Sequence, residues 1–468
     1  MLIVLKNFKH KNFKLGATVN ILLGAAVIFL IFNSDLSAQA AESAQFNGLD
    51  LPATPNTNKH ASVLATFVLP ATDISTINPG VDLGDLSVAA KNGYPNAKIP
   101  GIGSALVAVP NKPNEFFMMT DRGPNYDNTN SSGKSFGKVF PLPKFTPAIV
   151  HVKLTGGKIE VIRAIPITDT QSSPVTGISN NKEDESPYLG DASSPMGFNP
   201  NGLDTEAMQL LPDGNFIIAE EYGPSIVVVD ANGKVLVRYV PEGKNYAGIH
   251  YPVKAILPAI YKERRGNRGF ENLSVTPDGK TAYVTLQSPM GDAKNKAYEK
   301  SRVVRILRLD ITQPTDAKVT GMFLVMQTEK SAYPETDKQK DLKYSDAVAL
   351  GQDRILLLER ATKKVKLIVA DLSNATNVLN YKEANSLIFE SEGESLDKLA
   401  VKSADTHEVF DSRDVFFQID TDKLEGLAVL TPGVVAISND NDFGIGEDNR
   451  NEYPSKVWIV RLGKSLTE

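Results

Sequence analysis

The chain contains no cysteine. Disulfides, thiolate metal ligands and a lipidated cysteine are therefore excluded, and stability has to come from packing, closure or bound ions. Histidine is scarce, with five in 468 residues. His10 and His60 fall in N-terminal segments; His250, in "GIHYPV", is the one to weigh near a site, with packing as its plainer role. No Lys/Arg stripe interleaved with aromatics is present and the net charge is only −5, which argues against nucleic acid as a partner. Also missing are H-E-x-x-H, a Walker loop, a paired-glycine fingerprint after a strand, and a G-x-S-x-G elbow, which "GIGSA" (101–105) breaks.

What is plentiful is turn chemistry. Glycine (34) and proline (28) punctuate β-type runs that far outnumber helical patterns, as in an all-β chain. At the N-terminus a basic "KNFKHKNFK", an apolar Leu15–Phe32 run and "AQA" at Ala38–Ala40 read as an export signal over residues 1–40, with a retained membrane anchor as the alternative. Residues 41–60 read as a linker without a core, and residues 61–468 as the folded domain. The mature protein is expected to be exported, periplasmic or extracellular, and monomeric.

Within that domain one plan recurs. "DTEAMQLLPDGNFIIAEE" (204–221) and "RGFENLSVTPDGKTAYVTLQS" (268–288) each carry an acid, an apolar alternation and Pro-Asp-Gly at the same spacing. "KLEGLAVLTPGVVAISNDND" repeats the plan from Glu425 to Asp440. "SDAVALGQDRILLLER" has Asp346, Glu359 and Arg360, and the first unit runs from Ser104 to Asp121 and Arg122. Each hairpin is followed by further strand-like runs, so the unit is about four strands. Such units recurring along a chain predict a β-propeller. Five are countable and a sixth could hide in the insertions at 180–202 and 391–422. "SVLATFVLP" (62–70) is expected to close the ring by pairing with the last unit, since an open ring would expose strand edges.

The start of the first strand and the end of the second share one end of a hairpin, away from its turn. The recurring acids Glu206, Glu221, Glu271, Asp346, Glu359, Glu425 and Asp440, with Asp121, are thus predicted to meet at one channel mouth. Alternation puts Glu271 on the face of Leu273 and Val275. Clustered carboxylates repel unless cations compensate, and an all-oxygen donor set suits Ca²⁺. "SNDNDFG" (438–444), with Asn439, Asp440, Asn441 and Asp442, is the best single ion-binding candidate. Arg122, Arg268 and Arg360 either pair with the acids or offer a fork to an anion. Asp213 and Asp278 read as turn residues, and "NKEDES" (181–186) as a solvated loop.

"TDRGPN" (120–125), "GLDTEAM" (202–208), "EEYGPSI" (220–226), "NRGFENLSVTPDG" (267–279), "LEGLAVL" (424–430) and "SNDNDFG" together resemble the signature of the phytase-like domain family, an exported propeller group described by esterase-like activity. The resemblance runs from about Leu64 to Leu462 and implies hydrolysis of phosphate or other esters with a divalent cation. Asp121, Arg122, Asn125, Asp204, Glu206, Glu221, Arg268, Glu271, Glu425, Asp440 and Asp442 stand at its motif positions. The Lys-rich phosphate site of alkaline phytases does not map onto this chain. The expectation is a Ca²⁺-dependent hydrolase of phosphoesters or related small esters. Its ion would be held by Asp204, Glu206, Glu221, Glu271, Glu359, Glu425, Asp440 and Asp442. Chemistry is expected from Asp121, Arg122, Glu206, Glu271, Arg268 and Arg360, and substrate contact from Asn125, Gln287, Asn439 and Asn441. A non-catalytic propeller binding a ligand or envelope partner is the rival, and a lactonase-like enzyme a third reading.

Overall fold

The computed structural model describes residues 44–46, 49–56, 60–91, 94, 98–391, 395–415, 419, 423–445 and 453–467. The expected export signal, 1–40, lies outside the described residues. The chain divides into two compact units, Met1–Gln39 and Ala40–Glu468, and every described residue is in the second.

That unit is a five-bladed β-propeller. Blade 1 comprises Ala105–Ala108, Glu115–Met119, Ala148–Thr155 and Lys158–Pro166, and blade 2 Thr205–Leu210, Phe216–Glu220, Ser225–Val229 and Val235–Pro241. Blade 3 has Phe270–Val275, Thr281–Leu286, Val303–Asp310 and Lys318–Met326, and blade 4 Lys343–Gly351, Arg354–Arg360, Val365–Asp371 and Asp405–Asp411. Blade 5 takes Leu424–Thr431, Val434–Asn439 and Lys456–Arg461 from the C-terminus and Ser62–Val68 from the N-terminus. The closing pair is antiparallel, from Lys456 opposite Val68 to Arg461 opposite Ser62. No sixth blade occurs among the described residues. The insertion after 391 supplies the outer strand of blade 4.

Five hydrophobic clusters fill the five seams between neighbouring blades. Consecutive side chains of one strand go to different seams: Val227 packs between blades 1 and 2, Val228 between blades 2 and 3. This is why "SIVVV" and "RILLL" read as continuous apolar runs, since a strand buried on both faces has no polar side to alternate with. Each first strand lines the ring beside its two neighbours. Where backbones meet most closely the sequence has glycine: a Cβ on Gly103 would sit 1.7 Å from the Asn439 carbonyl oxygen, and one on Gly269 2.1 Å from that of Glu221.

Part of the expected linker is docked. Leu51 is buried, the Pro52 carbonyl accepts from Thr431 Oγ1 at 2.9 Å, and Asn56 donates its N–H to the Leu462 carbonyl at 2.8 Å. Those backbone groups find partners on blade 5, which its polar composition did not announce. A small sheet of Tyr126–Thr129, Ser135–Phe140 and Pro187–Leu189 is built from an insertion within blade 1 and the connection from blade 1 to blade 2.

Candidate active site at the channel mouth

A β-bulge recurs at the start of the inner strands. In blade 2 the register skips between Thr205 and Ala207, in blade 3 between Phe270 and Asn272, and in blade 5 between Leu424 and Leu427. The extra residues are Glu206, Glu271 and the Glu425-Gly426 pair. A bulge leaves one residue unpaired and re-aims its side chain. The core row of blade 3 is therefore Phe270, Leu273 and Val275, and Glu271 is turned out of it rather than extending it. In blade 4 the bulged residue is Ser345, because the skip falls between Tyr344 and Asp346. Asp346 is displaced by one position, and its carboxylate accepts from the N–H groups of Ala347 (2.8 Å) and Leu427 (2.7 Å), pinning blade 4 to blade 5.

On blade 2, carboxylate oxygens of Asp204, Glu206 and Glu221 lie within 4.8 Å of one another, all three residues buried. Arg122 sits beside them, its Nε 3.0 Å from Asp204 Oδ2 and its Nη2 3.6 Å from Glu221 Oε2. The first is a charge contact without hydrogen-bond alignment, since Arg122 Nε and Asp204 Oδ2 both lack a hydrogen-bonded partner. The remaining donors go to Asn267 Oδ1 (2.6 Å) and Tyr222 Oη (3.3 Å), with Glu185 3.5 Å from Nη1. Burial, with Glu271 and Asp204 nearby, pushes the Glu206 carboxyl well up. Burial does the same to Asp204 although Arg122 opposes it. A buried oxygen cluster with an unbonded Asp204 Oδ2 and no sulfur or imidazole fits a hard cation.

Glu271 accepts from Gln287 Nε2 through Oε1, while its Oε2 is buried without a partner. Burial, then Glu221 and Glu425, push its carboxyl up to about 8. Glu425 is held by Arg360, whose Nε donates to Ser345 Oγ at 2.7 Å. Across the first and last blades Asp121 meets Asp440 and Asp442. Burial, then Asp440, push Asp121 up to about 8. Burial opposes ionisation of Asp440 too, but Lys423, its Nζ 2.8 Å from Asp440 Oδ2 and also bonded to Asp442, brings it below the usual range.

Other predicted residues are hydrogen-bonded to the surrounding frame. Glu359 accepts from the Thr328 N–H (2.8 Å) and Tyr333 Oη (3.0 Å). Asn125 donates to the Gly123 carbonyl, Asn439 accepts from the Lys456 N–H, and Asn441 caps Phe443 and donates to the Tyr453 carbonyl. His250 pairs with Asp169 at 2.9 Å. The "NKEDES" segment is not simply solvated: Asp184 is bonded to Arg264 with both side chains buried, and Glu185 reaches Arg122. Asp213 and Asp278 accept from Asn215 and Lys280 N–H groups within their turns.

Sequence reasoning passed over Lys343 and Lys423. Lys343 opens the inner strand of blade 4 opposite Arg360. Burial, then Arg268 and Arg360, push its amine down to about 7. Both lysines stand two residues before a bulge position, Ser345 or Glu425, and that shared offset was the available signal.

A family model described as "Phytase-like: Esterase-like activity of phytase" matches residues 98–443. A curated relative from Arthroderma benhamiae, an "Uncharacterized secreted protein", is 27% identical over 201 residues, 36% of this chain and 38% of its own length. The match thus spans well under half of that relative. Among solved structures, a luciferin-regenerating enzyme aligns with a TM-score of 0.32 at 10% identity, covering 88% of this chain and 95% of that one. The PQQ-bound aldose sugar dehydrogenase of Streptomyces coelicolor aligns at 0.28 and 10% identity, covering 88% and 99%.

Proposed function

This chain belongs to the phytase-like family, and from that premise we propose that it is an exported, Ca²⁺-dependent hydrolase of phosphoesters or related small esters, acting at the acidic channel mouth. The observation that carries the reading is the buried trio of Asp204, Glu206 and Glu221, with oxygens within 4.8 Å of one another. Asp204 Oδ2 and Glu271 Oε2, both without hydrogen-bond partners, add to it. Export is supported by the secreted relative.

Asp204, Glu206 and Glu221 would hold the ion, which supplies polarisation of an ester oxygen and a bound water of lowered pKa. Arg122 orients Asp204 and Glu221 and offsets part of their mutual repulsion. Glu271 Oε2, held near neutrality by its environment, is suited to take or return a proton at working pH. Arg360 holds Glu425 while its own Nε is anchored on Ser345 Oγ.

The rival, a propeller that only binds, is favoured by one observation: Arg122, Arg360 and Lys423 already neutralise acids at three places round the mouth. A panel of phosphomonoesters, carboxylesters and lactones assayed with and without Ca²⁺ separates the readings. Turnover of phosphomonoesters that needs Ca²⁺ supports the hydrolase; turnover of none leaves the binding propeller.

A further inference from the structure

The five cations at the mouth divide into two kinds. Arg122, Arg360 and Lys423 each contact a carboxylate oxygen. Among the described residues Lys343 and Arg268 do not, and Arg268 Nη1 is buried without a hydrogen-bond partner. The charges that bear on Lys343 are Arg268, Arg360, Glu271 and Lys423, three of them its own sign. Those on Arg268 are Glu271, Glu221, Arg360 and Asp341. Glu271 is the acid common to both, and its Oε1 is taken by Gln287. The neighbouring Gln287 Oε1 also lacks a partner. The backbone sets the two side by side, since Gln287 donates its N–H to the Gly269 carbonyl at 2.9 Å and accepts from the Tyr344 N–H at 2.8 Å; two neighbouring cations without a carboxylate contact leave a repulsion that an incoming anion would relieve.

We propose that Lys343 and Arg268, at the blade 3–4 edge of the mouth, form a binding pair for the phosphate-type group of an anionic ester. The assignment rests on the hydrolase reading for its substrate, but not for its ligand chemistry. A guanidinium fork beside a compact ammonium suits a doubly charged, tetrahedral oxyanion better than a neutral lactone. It gives this chain a lysine-containing anion site where none could be traced by motif.

Inorganic phosphate is the probe, followed by calorimetry on the full-length protein with Ca²⁺ and after chelation. Binding by the chelated parent is expected, weakened about tenfold or more in Lys343→Met and in Arg268→Met, and kept within a few-fold in Lys343→Arg. Melting curves of each variant confirm that it is folded. No phosphate binding by the parent overturns the proposal. So does Lys343→Met binding like the parent, or binding that chelation abolishes and neither substitution alters, because the anion would then sit on the ion alone. Phosphate bound at this pair without turnover of any ester would instead sink the hydrolase reading and leave the anion site standing.

Discussion

Buried charge occurs in two regions of this propeller, and the two are built differently. Arg305 of blade 3 and Glu390, from the insertion before the outer strand of blade 4, form a two-point pair at 2.7 and 2.8 Å, both side chains fully enclosed. The other guanidinium donors end on the Ala384 and Ser386 carbonyls. Glu220 is likewise enclosed by Arg238 and Ser225, and accepts from the Tyr222 N–H. At the mouth, by contrast, Asp204 Oδ2, Glu271 Oε2, Gln287 Oε1 and Arg268 Nη1 are buried with no hydrogen-bond partner. Glu220 and Glu221 make the comparison within one strand end: the first is sealed in the blade, the second opens onto the trio. Burial of an ion therefore does not separate the two regions; the incomplete satisfaction of the charged groups at the mouth does, and an unpaired buried group is costly unless a ligand completes it.

The comparison breaks most visibly on the sealed side. Arg305→Met strands Glu390 without its partner, and removing one partner of a buried pair costs about 3–5 kcal/mol. Denaturant titration should show a loss of that size, with Ca²⁺ affinity of the folded protein unchanged. A loss below about 1 kcal/mol would mean that the sealed pairs are no more structural than the mouth.

On the open side stability should depend on what is added. Free Ca²⁺ at a hundred times its dissociation constant should stabilise the protein by about 2.7 kcal/mol. Melting curves with chelator and with Ca²⁺ or Mg²⁺ measure this, and Glu206→Gln should remove most of the gain. An unchanged melting temperature under chelation would leave the trio without its ion.

The architecture was largely legible from residues alone: the Pro-Asp-Gly spacing revealed four-stranded units, and "SVLATFVLP" pairs with the last blade as its unpaired edge demands. The mouth was legible in outline, since Glu206, Glu271 and Glu425 share a hairpin position. The bulges were not, because an extra residue in a strand leaves no composition signature. That is why Asp346 was aligned with Glu271 when Ser345 holds the equivalent place. Lys423 escaped for another reason. Its partners Asp440 and Asp442 follow it by 17 and 19 residues across a hairpin, and a search for acids looks past the cation that answers them.

The pH response sharpens the contrast by sign. Glu271 ordinarily titrates at 4.5 and is raised to about 8 by burial and its acidic neighbours. The folded protein thus keeps a proton that the unfolded chain gives up. Its contribution to stability is fully present below about 4.5 and is lost as pH rises to about 8, with a slope of at most about 1.4 kcal/mol per pH unit. Asp411, lowered to about 2 by Arg413 and Lys366 against burial, acts oppositely: its contribution is present above the ordinary Asp range and is lost as pH falls through about 2. Melting temperatures of chelated protein from pH 4 to 9 should fall on the alkaline side in the parent and fall less in Glu271→Gln. Parallel curves would mean that Glu271 titrates alike in the folded and the unfolded chain.

The smallest effect is expected at the far end of the same hairpin. Asp278 accepts from Thr276 Oγ1 at 2.6 Å and from the Lys280 N–H at 3.1 Å, bonds that an asparagine oxygen can also accept. Asp278→Asn should change stability by less than about 0.5 kcal/mol and leave Ca²⁺ affinity untouched. Glu271→Gln, an equally small change of shape, removes a carboxyl group whose ionisation Glu206 and Glu221 also feel. It should therefore alter ion affinity while leaving the chelated protein as stable as the parent, or more so above neutral pH. Because the two substitutions erase the same group in one hairpin, any difference between them reports position alone. Calorimetric titration of Ca²⁺ into both variants decides it. If both bind as the parent does, Glu271 is only the residue that fills a bulge, and the open side of the comparison shrinks to the trio on blade 2.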